Sequence, residues 1–279
     1  VLGRRGDYPV PIQFPWIPGA EGVGIVDAVG HGVVTLEPGQ RIAFIGTGSY
    51  SEYALAKEAT CIPVPDELSD ELAAGFPVQG LTAWHVLHTV GHAQAGDWVV
   101  IHAAAGGVGG LAVQLACQHG CQVIALASSQ EKLDYAYSLG AQHGVNYREE
   151  DFMRAVRRIT QGRGVDLVLD SVGADTMPTN FRILRHFGRV VAYGLASGMP
   201  EVSVERDLFP KSLGIHAFSL YNVVPHPELF ERSSDALIAS LLSGELKLHV
   251  DAVLPLEEAE EAHRRLEERA SMGKILLRV

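Results

Sequence analysis

Cysteine is scarce. Cys61, Cys117 and Cys121 are the only three in 279 residues. So few thiols exclude the disulfide framework of a small secreted domain. Cys117 and Cys121 stand at i and i+4 on a predicted helix, which reads as two buried structural thiols or as half of a metal site. Long apolar runs are also absent. No stretch reaches the length that crosses a bilayer, and no signal peptide is visible. Positive charge is in deficit: 22 Lys and Arg against 33 Asp and Glu give a formal net charge of −11 and a pI of about 5.5. This balance disfavours nucleic acid and anionic membrane as partners, because both need a basic face. It still permits an anionic cofactor, since a single loop can bind phosphate within an acidic protein. Repeats and low-complexity segments are missing. The expectation is a cytoplasmic protein, with the chain starting at Val1, without Met, in what reads as mid-domain.

What is present is an ordinary globular composition, 47% hydrophobic and 20% charged, in a chain long enough for two cores. The 30 glycines exceed average usage and suggest tight turns or a phosphate-binding loop. Residues 1–66 read as β-rich, with strands at 22–26 and 41–44 and a turn at Glu37-Pro38-Gly39-Gln40. Pro63 and Pro65 mark a change of character, and Ser69 is a candidate N-cap for a helix opening over 66–72. From Trp98 onward, short apolar strands alternate with amphipathic helices. Strands are predicted at 98–102, 122–127, 144–146, 165–170, 189–193 and 211–218, and helices at 108–119, 130–139, 151–160, 176–184 and 229–242. That alternation predicts an α/β domain whose parallel sheet is covered on both faces. The tail reads as a charged helix over 257–270 and a last strand over 274–279, set apart from the alternating region.

The strongest local signal is His102-Ala103-Ala104-Ala105-Gly106-Gly107-Val108-Gly109-Gly110. It follows a predicted strand and opens a predicted helix, the context that makes a glycine pattern specific. Gly106 lets backbone amides approach a pyrophosphate. Gly109 lets the helix pack closely on the strand, and the helix N-terminus offers N–H donors. The alternative is a tight turn that binds nothing. An NAD site places Asp or Glu about 20 residues further on, at the tip of the second strand. Here the strand ends Leu126-Ala127-Ser128-Ser129-Gln130-Glu131-Lys132, with no acid at its tip. Two hydroxyls and a lysine suit a 2′-phosphate, so NADP(H) is expected. Ser128 also reads as a cap for the following helix, a role compatible with phosphate binding.

At this point the chain resembles the zinc-independent quinone oxidoreductase and enoyl reductase branch of the medium-chain dehydrogenase/reductase superfamily. The segments that carry the resemblance run in family order. They are Arg5-Gly6-Asp7-Tyr8-Pro9, Pro18-Gly19-Ala20-Glu21-Gly22-Val23-Gly24, the loop just described, Gly80-Leu81-Thr82-Ala83-Trp84, Asn146-Tyr147-Arg148-Glu149, Asp170-Ser171-Val172-Gly173 and Gly273-Lys274-Ile275-Leu276-Leu277. The resemblance implies a Rossmann domain over 67–243. It also implies a GroES-like β-barrel domain formed by 1–66 and 244–279, whose first strands would precede Val1, with the active site in the cleft. Cofactor contacts are implied at Tyr8, Thr82, Gly106, Gly107, Val108 and Gly109, and for the adenosine phosphate at Ser128, Ser129, Lys132 and Tyr147. Ser171, Gly173, Tyr193, Gly194, Leu195, Ile215, His216 and Ala217 are implied around the rest of the cofactor. Lys274 is matched to it as well, or is an exposed tail lysine. Tyr8 is implied at the nicotinamide, where it either donates a proton or only packs.

Zinc-dependent relatives carry Gly-His-Glu where this chain has Gly19-Ala20-Glu21, and alanine cannot ligate a metal. No cysteine cluster replaces a structural zinc lobe. His85 and His88, at i and i+3 on a predicted helix, and His102 read as structural or surface histidines, so no metal site is expected. A conjugated acceptor does not need zinc, because incoming charge spreads onto oxygen. The expected activity is therefore NADPH-dependent hydride transfer to a quinone or an α,β-unsaturated carbonyl. Two alternatives stand beside it: an enoyl reductase module of a polyketide or fatty acid synthase, and a non-enzymatic NADPH-binding homologue. The expected partners are a small-molecule substrate and a second copy of the chain, paired along the edge strand at 211–218.

Overall fold

The structure, a computed structural model, describes residues 2–6 and 12–279. Its N-terminal part contains α1 (Leu2–Arg5), β1 (Glu21–Ile25), β2 (Arg41–Ile45), β3 (Cys61–Pro63) and α2 (Asp70–Trp84). An alternating region follows: β4 (Trp98–Ile101), α3 (Gly107–Gln118), β5 (Gln122–Ala127), α4 (Gln130–Ser138), β6 (His143–Asn146), α5 (Phe152–Ile159), β7 (Val165–Asp170), α6 (Met177–Ile183), β8 (Leu184–Ala192) and β9 (Gly214–Ala217). The chain ends with α7 (Pro227–Ser243), β10 (Val250–Pro255), α8 (Ala259–Glu267) and β11 (Lys274–Arg278). Residues divide into two compact units, Thr82–Asn222 and the combination of Val1–Leu81 with Val223–Val279.

The unit at 82–222 is built on a six-stranded sheet in the order β6-β5-β4-β7-β8-β9, with every pair parallel. The chain runs outward from the central β4 to β6, returns to β7 beside β4, and runs outward again to β9. This is the doubly wound topology that the sequence pattern and the resemblance predict. Its cause is legible in the strands, which are apolar almost without break because both faces are covered. Val100, Ile124, Val168 and Val190 share one core with Ala155 and Val156 of α5 and Met177, Phe181 and Ile183 of α6. Val99 and Ile101, turned to the other face by the period of two, are equally buried. On transfer arithmetic each such side chain contributes about 1.5–3 kcal/mol.

Two expected strands differ at their starts by more than one residue. β8 begins at Leu184, not at 189: Leu184 pairs with Val165, and the ladder resumes with Arg189 opposite Leu167. Between them Arg185 to Gly188 bulge out of the β7–β8 pairing, with Phe187 at φ +63° and 71% exposed. That polar excursion hid the first pairing from a reading of alternation. β9 covers 214–217 of the expected 211–218 because 209–211 form a 3-10 turn ended by Ser212 at φ +53°. Lys211 is drawn away from the strand. Its Nζ donates to the carbonyls of Arg182 (3.0 Å) and Leu184 (2.6 Å) at the end of α6.

In the other unit, β1, β2 and β3 form an antiparallel sheet and β10 and β11 a parallel pair. The expected turn before β2 is present, with Gly39 at φ +88° and Gln40 N–H on the Glu37 carbonyl at 3.2 Å. Ser69 caps α2: its Oγ accepts from Leu72 N–H at 3.3 Å. Pro77 sits inside that helix, where it removes a donor and crowds the turn before it. The next amide, Val78 N–H, donates to Glu21 Oε2 at 2.7 Å, and Glu21 Oε1 is held by Lys274. A largely buried carboxylate thus receives both a helix amide and an ammonium. Lys274 is not an exposed tail lysine; its side chain is 18% exposed.

β7 is bracketed by two aspartates that are fully buried, Asp166 at its start and Asp170 at its end. Burial alone would raise the Asp166 carboxyl. Bonds from Arg163 (2.7 Å), Trp98 N–H (2.8 Å) and Arg185 outweigh it and hold its pKa below the ordinary carboxylate value. Asp166→Asn keeps the size but leaves donors poorly matched, at an expected loss of about 2 kcal/mol near neutrality. Because the folded pKa is depressed, the contribution is complete above the unfolded Asp pKa of about 3.9 and fades as pH falls below it. Chemical denaturation of both proteins across that range should show the stability gap closing on the acid side; a gap independent of pH would contradict this assignment.

Candidate functional site

Parallel strands all end on the same side, and the register aligns their last residues in a row. Ala127 faces Asn146, Asp170 faces Ala192, and Ala192 faces Ala217. The backbone continues the row one step further. His102 N–H donates to Leu169 O, Tyr147 N–H to Ala127 O, Tyr193 N–H to Asp170 O and Phe218 N–H to Ala192 O, at 2.8–3.1 Å. The sequence-derived candidates lie on this row or just beyond it: Gly106 to Gly109 after β4, Ser128, Ser129 and Lys132 after β5, and Tyr147 after β6. Ser171 and Gly173 follow β7, Tyr193 to Leu195 follow β8, and Ile215 to Ala217 are the end of β9 itself. After β4 the chain moves to one side of the sheet and after β7 to the other, so the gap between these two strands is the switch point where open α/β sheets bind ligands. Thr82 lies instead on α2 and is buried. Lys274 belongs to the other unit, on Glu21. Tyr8 lies outside the described residues.

The glycines meet steric demands. A Cβ at Gly109 would stand 2.2 Å from the Ala103 carbonyl oxygen and 2.9 Å from Ala104 Cα, so only glycine lets α3 pack on the loop. A Cβ at Gly194 would fall 2.6 Å from the Ser171 carbonyl, where the loops after β7 and β8 touch. Gly106 occupies the N-cap of α3 and no side chain caps that helix. The leading amides of Gly107, Val108 and Gly109 precede the first intrahelical bond, Gly110 N–H to Gly106 O at 2.8 Å, and remain available to an anion.

After β5 the helix cap is Ser129, not Ser128. The Ser129 Oγ accepts from Lys132 N–H at 3.4 Å, while Ser128 precedes it at the strand tip, half-buried. Tyr147 is 38% exposed at the end of β6. Tyr193 shares a hydrogen bond with Ser171, and burial raises its phenol well above the usual range despite that bond.

A polar group at the switch point escaped the sequence reading. Asp170 Oδ1 accepts from Val172 N–H (2.7 Å) and Gly173 N–H (3.3 Å), and its Oδ2 from Thr176 Oγ1 and Asn180 Nδ2, both at 2.8 Å. Asn180 Oδ1 meets His102 Nε2 at 2.8 Å. The sequence marked Asp170 as the opening of a motif segment and as an acid closing a largely apolar strand, without a sign of its partners. His85 stacks on Phe218 and bonds Thr89, and burial lowers it to about 4, with His88 adding to the shift. Cys117 lies on α3, half-buried, whereas Cys121 lies beyond the helix end, where burial pushes its thiol up to about 11. Among the described residues no three His, Cys, Asp or Glu form a group that could hold a metal ion.

Comparison with known proteins places this geometry. Residues 2–66 match the family model of the alcohol dehydrogenase GroES-like domain, and residues 107–238 that of the zinc-binding dehydrogenase. A 2-haloacrylate reductase of Burkholderia sp is 36% identical over 283 residues, covering 98% of this chain and 85% of that protein. A quinone oxidoreductase of Pseudomonas aeruginosa is 34% identical over 278 residues, with the same coverage. The chain belongs to the medium-chain dehydrogenase/reductase superfamily, in its quinone oxidoreductase branch. Among solved structures, the Escherichia coli quinone oxidoreductase complexed with NADPH superposes with a TM-score of 0.94 at 33% identity, covering 99% of this chain and 86% of that one. As a member of this superfamily the chain is an oxidoreductase with a doubly wound domain and a GroES-like domain.

For a dehydrogenase of this superfamily the close approach at Gly109 is the most direct test of the loop. Gly109→Ala should cost about 1–3 kcal/mol of stability, since the intruding methyl meets rigid backbone. Gly96→Ala, at a turn where a Cβ meets nothing within 4 Å but φ is +87°, measures backbone strain alone. Thermal denaturation in which Gly109→Ala costs less than Gly96→Ala would contradict the packing argument.

Proposed function

We propose that the protein is a zinc-independent, NADPH-dependent reductase that transfers hydride to a quinone or an α,β-unsaturated carbonyl. The observation that carries this reading is the row of strand ends. A side-chain-free helix start after β4 suits a pyrophosphate, and hydroxyls with a lysine after β5 suit a phosphorylated ribose. Bound there, NADPH supplies the hydride. The chain's own residues do the rest: Gly107, Val108 and Gly109 amides hold the pyrophosphate, Ser128, Ser129, Lys132 and Tyr147 take the 2′-phosphate, and the segments 171–173, 193–195 and 215–217 orient the reacting end. The neighbouring E. coli structure, complexed with NADPH, supports the cofactor. The names of the relatives, quinone oxidoreductase and 2-haloacrylate reductase, support an acceptor with an activated double bond.

Independence from zinc rests on the donor set. Ala20 stands where zinc-dependent relatives have a ligand, and the adjacent Glu21 is engaged by Val78 N–H and Lys274. The name of the matched dehydrogenase family describes the family and does not supply the missing ligands. The reading includes a homodimer joined along β9, which is an outer strand of its sheet and pairs only with β8 among the described residues. No helix among the described residues is long and apolar enough to cross a membrane, and the protein is proposed to act in the cytoplasm.

Coenzyme choice is tested by Lys132→Ala. Loss of a charge-assisted contact should weaken NADPH by about 1.5–3 kcal/mol and leave NADH nearly unchanged. Fluorescence titration showing equal losses for both, or preference for NADH in the unaltered protein, would refute the assignment. Proton delivery is tested at Tyr8, whose part rests on sequence. Tyr8→Phe keeps the ring and removes the hydroxyl. With a 2-enoyl substrate kcat should fall about 100-fold while NADPH affinity holds, and a quinone, whose reduced oxygens take protons from water, should be less affected. Enoyl turnover within about threefold of the unaltered protein would leave Tyr8 only a packing role.

A further inference from the structure

The hydrogen bonds at the switch point have one possible polarity. A carboxylate oxygen only accepts, so the Asn180 atom 2.8 Å from Asp170 Oδ2 is the amide nitrogen, and the amide oxygen faces His102. That oxygen only accepts in turn, so the His102 Nε2 at 2.8 Å carries a proton. Asp170 and Asn180 are fully buried and His102 is 3% exposed, so water does not offer substitute partners. Burial also disfavours the imidazolium, although Asp170 and Asn180 pull the other way. The neutral ring is thereby set as the Nε2–H tautomer, with Nδ1 bare.

The two ends of this chain of three side chains sit at the entries to different loops. His102 is tied by its N–H to Leu169 O at 3.0 Å and leads directly into Ala103, at φ +49°, and the glycine turn. Asp170 gathers the Val172 and Gly173 amides of the loop after β7. We propose that Asp170, acting through Asn180 on His102, is a positioning residue that locks the loops after β4 and β7 together and sets the His102 tautomer. The proposal rests on the coenzyme reading above for its consequence, coenzyme affinity, but not for the tautomer itself.

Asp170→Asn tests it. The new amide keeps its oxygen on the Val172 and Gly173 amides and turns its NH2 toward Asn180. Asn180 must then flip and present its own NH2 to His102 Nε2, which can only accept, so the proton moves to Nδ1. Imidazole nitrogen NMR shifts of labelled protein, with His102 assigned by its loss in His102→Gln, read this directly. The expected result is Nε2–H in the unaltered protein and Nδ1–H in Asp170→Asn, with NADPH binding weakened roughly tenfold. A general loss of stability would not move the proton between nitrogens. If circular dichroism shows that Asp170→Asn does not fold, Asn180→Leu breaks the relay while leaving Val172, Gly173 and Thr176 on Asp170. The Nε2 preference should then be lost and NADPH weakened to the same extent. An unchanged tautomer in the variant that folds overturns the relay, and an altered tautomer with NADPH affinity within about twofold of the parent overturns the positioning role. Failure of the unaltered protein to bind NADPH would instead overturn the proposed function, and the nitrogen shifts would still decide the relay.

Discussion

A parallel sheet covered by helices on both faces has no polar surface except at its strand ends. The placing of most candidate site residues in the 82–222 unit follows from that constraint. Faces built of Val99, Val100, Ile101, Ile124 and Val168 exclude water, so hydrogen-bonding groups gather where the strands stop. Parallel pairing then makes all the strands stop on one side. Five loops and the end of β9 share one edge, and the chemistry of that edge is whatever those segments carry.

The same dry interior explains why polar side chains near the edge come as satisfied groups. Asp166 and Asp170 bracket a strand that is otherwise apolar, and each carboxylate is met by several donors. The partners differ in kind. Asp166 draws on two arginines that are partly exposed, so solvent screening limits what those ion pairs contribute. Asp170 uses backbone amides, a hydroxyl and an amide, all neutral, and these fix the direction of every hydrogen bond around it. The first arrangement suits stability, and the second suits geometry. In the other unit Glu21 plays a comparable part, collecting the amide at the turn that Pro77 disrupts and the ammonium of Lys274.

Much of this was legible in the residues. The strands at 122–127 and 165–170 are found at their expected limits because their apolar runs have sharp polar borders. The glycine loop declared its strand-to-helix setting. Less visible were β3, only three residues long, and β10, whose pattern lacks alternation. The early start of β8 was hidden by the excursion at Phe187. The helix cap after β5 fell one residue late because Ser128 and Ser129 offer the same hydroxyl. Least visible was the His102–Asn180–Asp170 relay. His102 and Asn180 are 78 residues apart, and an isolated buried histidine gives no hint of its partner.

The central claim is that this edge, with an anionic nicotinamide coenzyme and without a metal, accounts for the activity. The direct measurement is NADPH consumption with a quinone acceptor by protein exhaustively treated with chelator, paired with elemental analysis of the same sample. The account predicts full turnover from protein with no stoichiometric zinc. Turnover that disappears on chelation and returns when zinc is restored would contradict it.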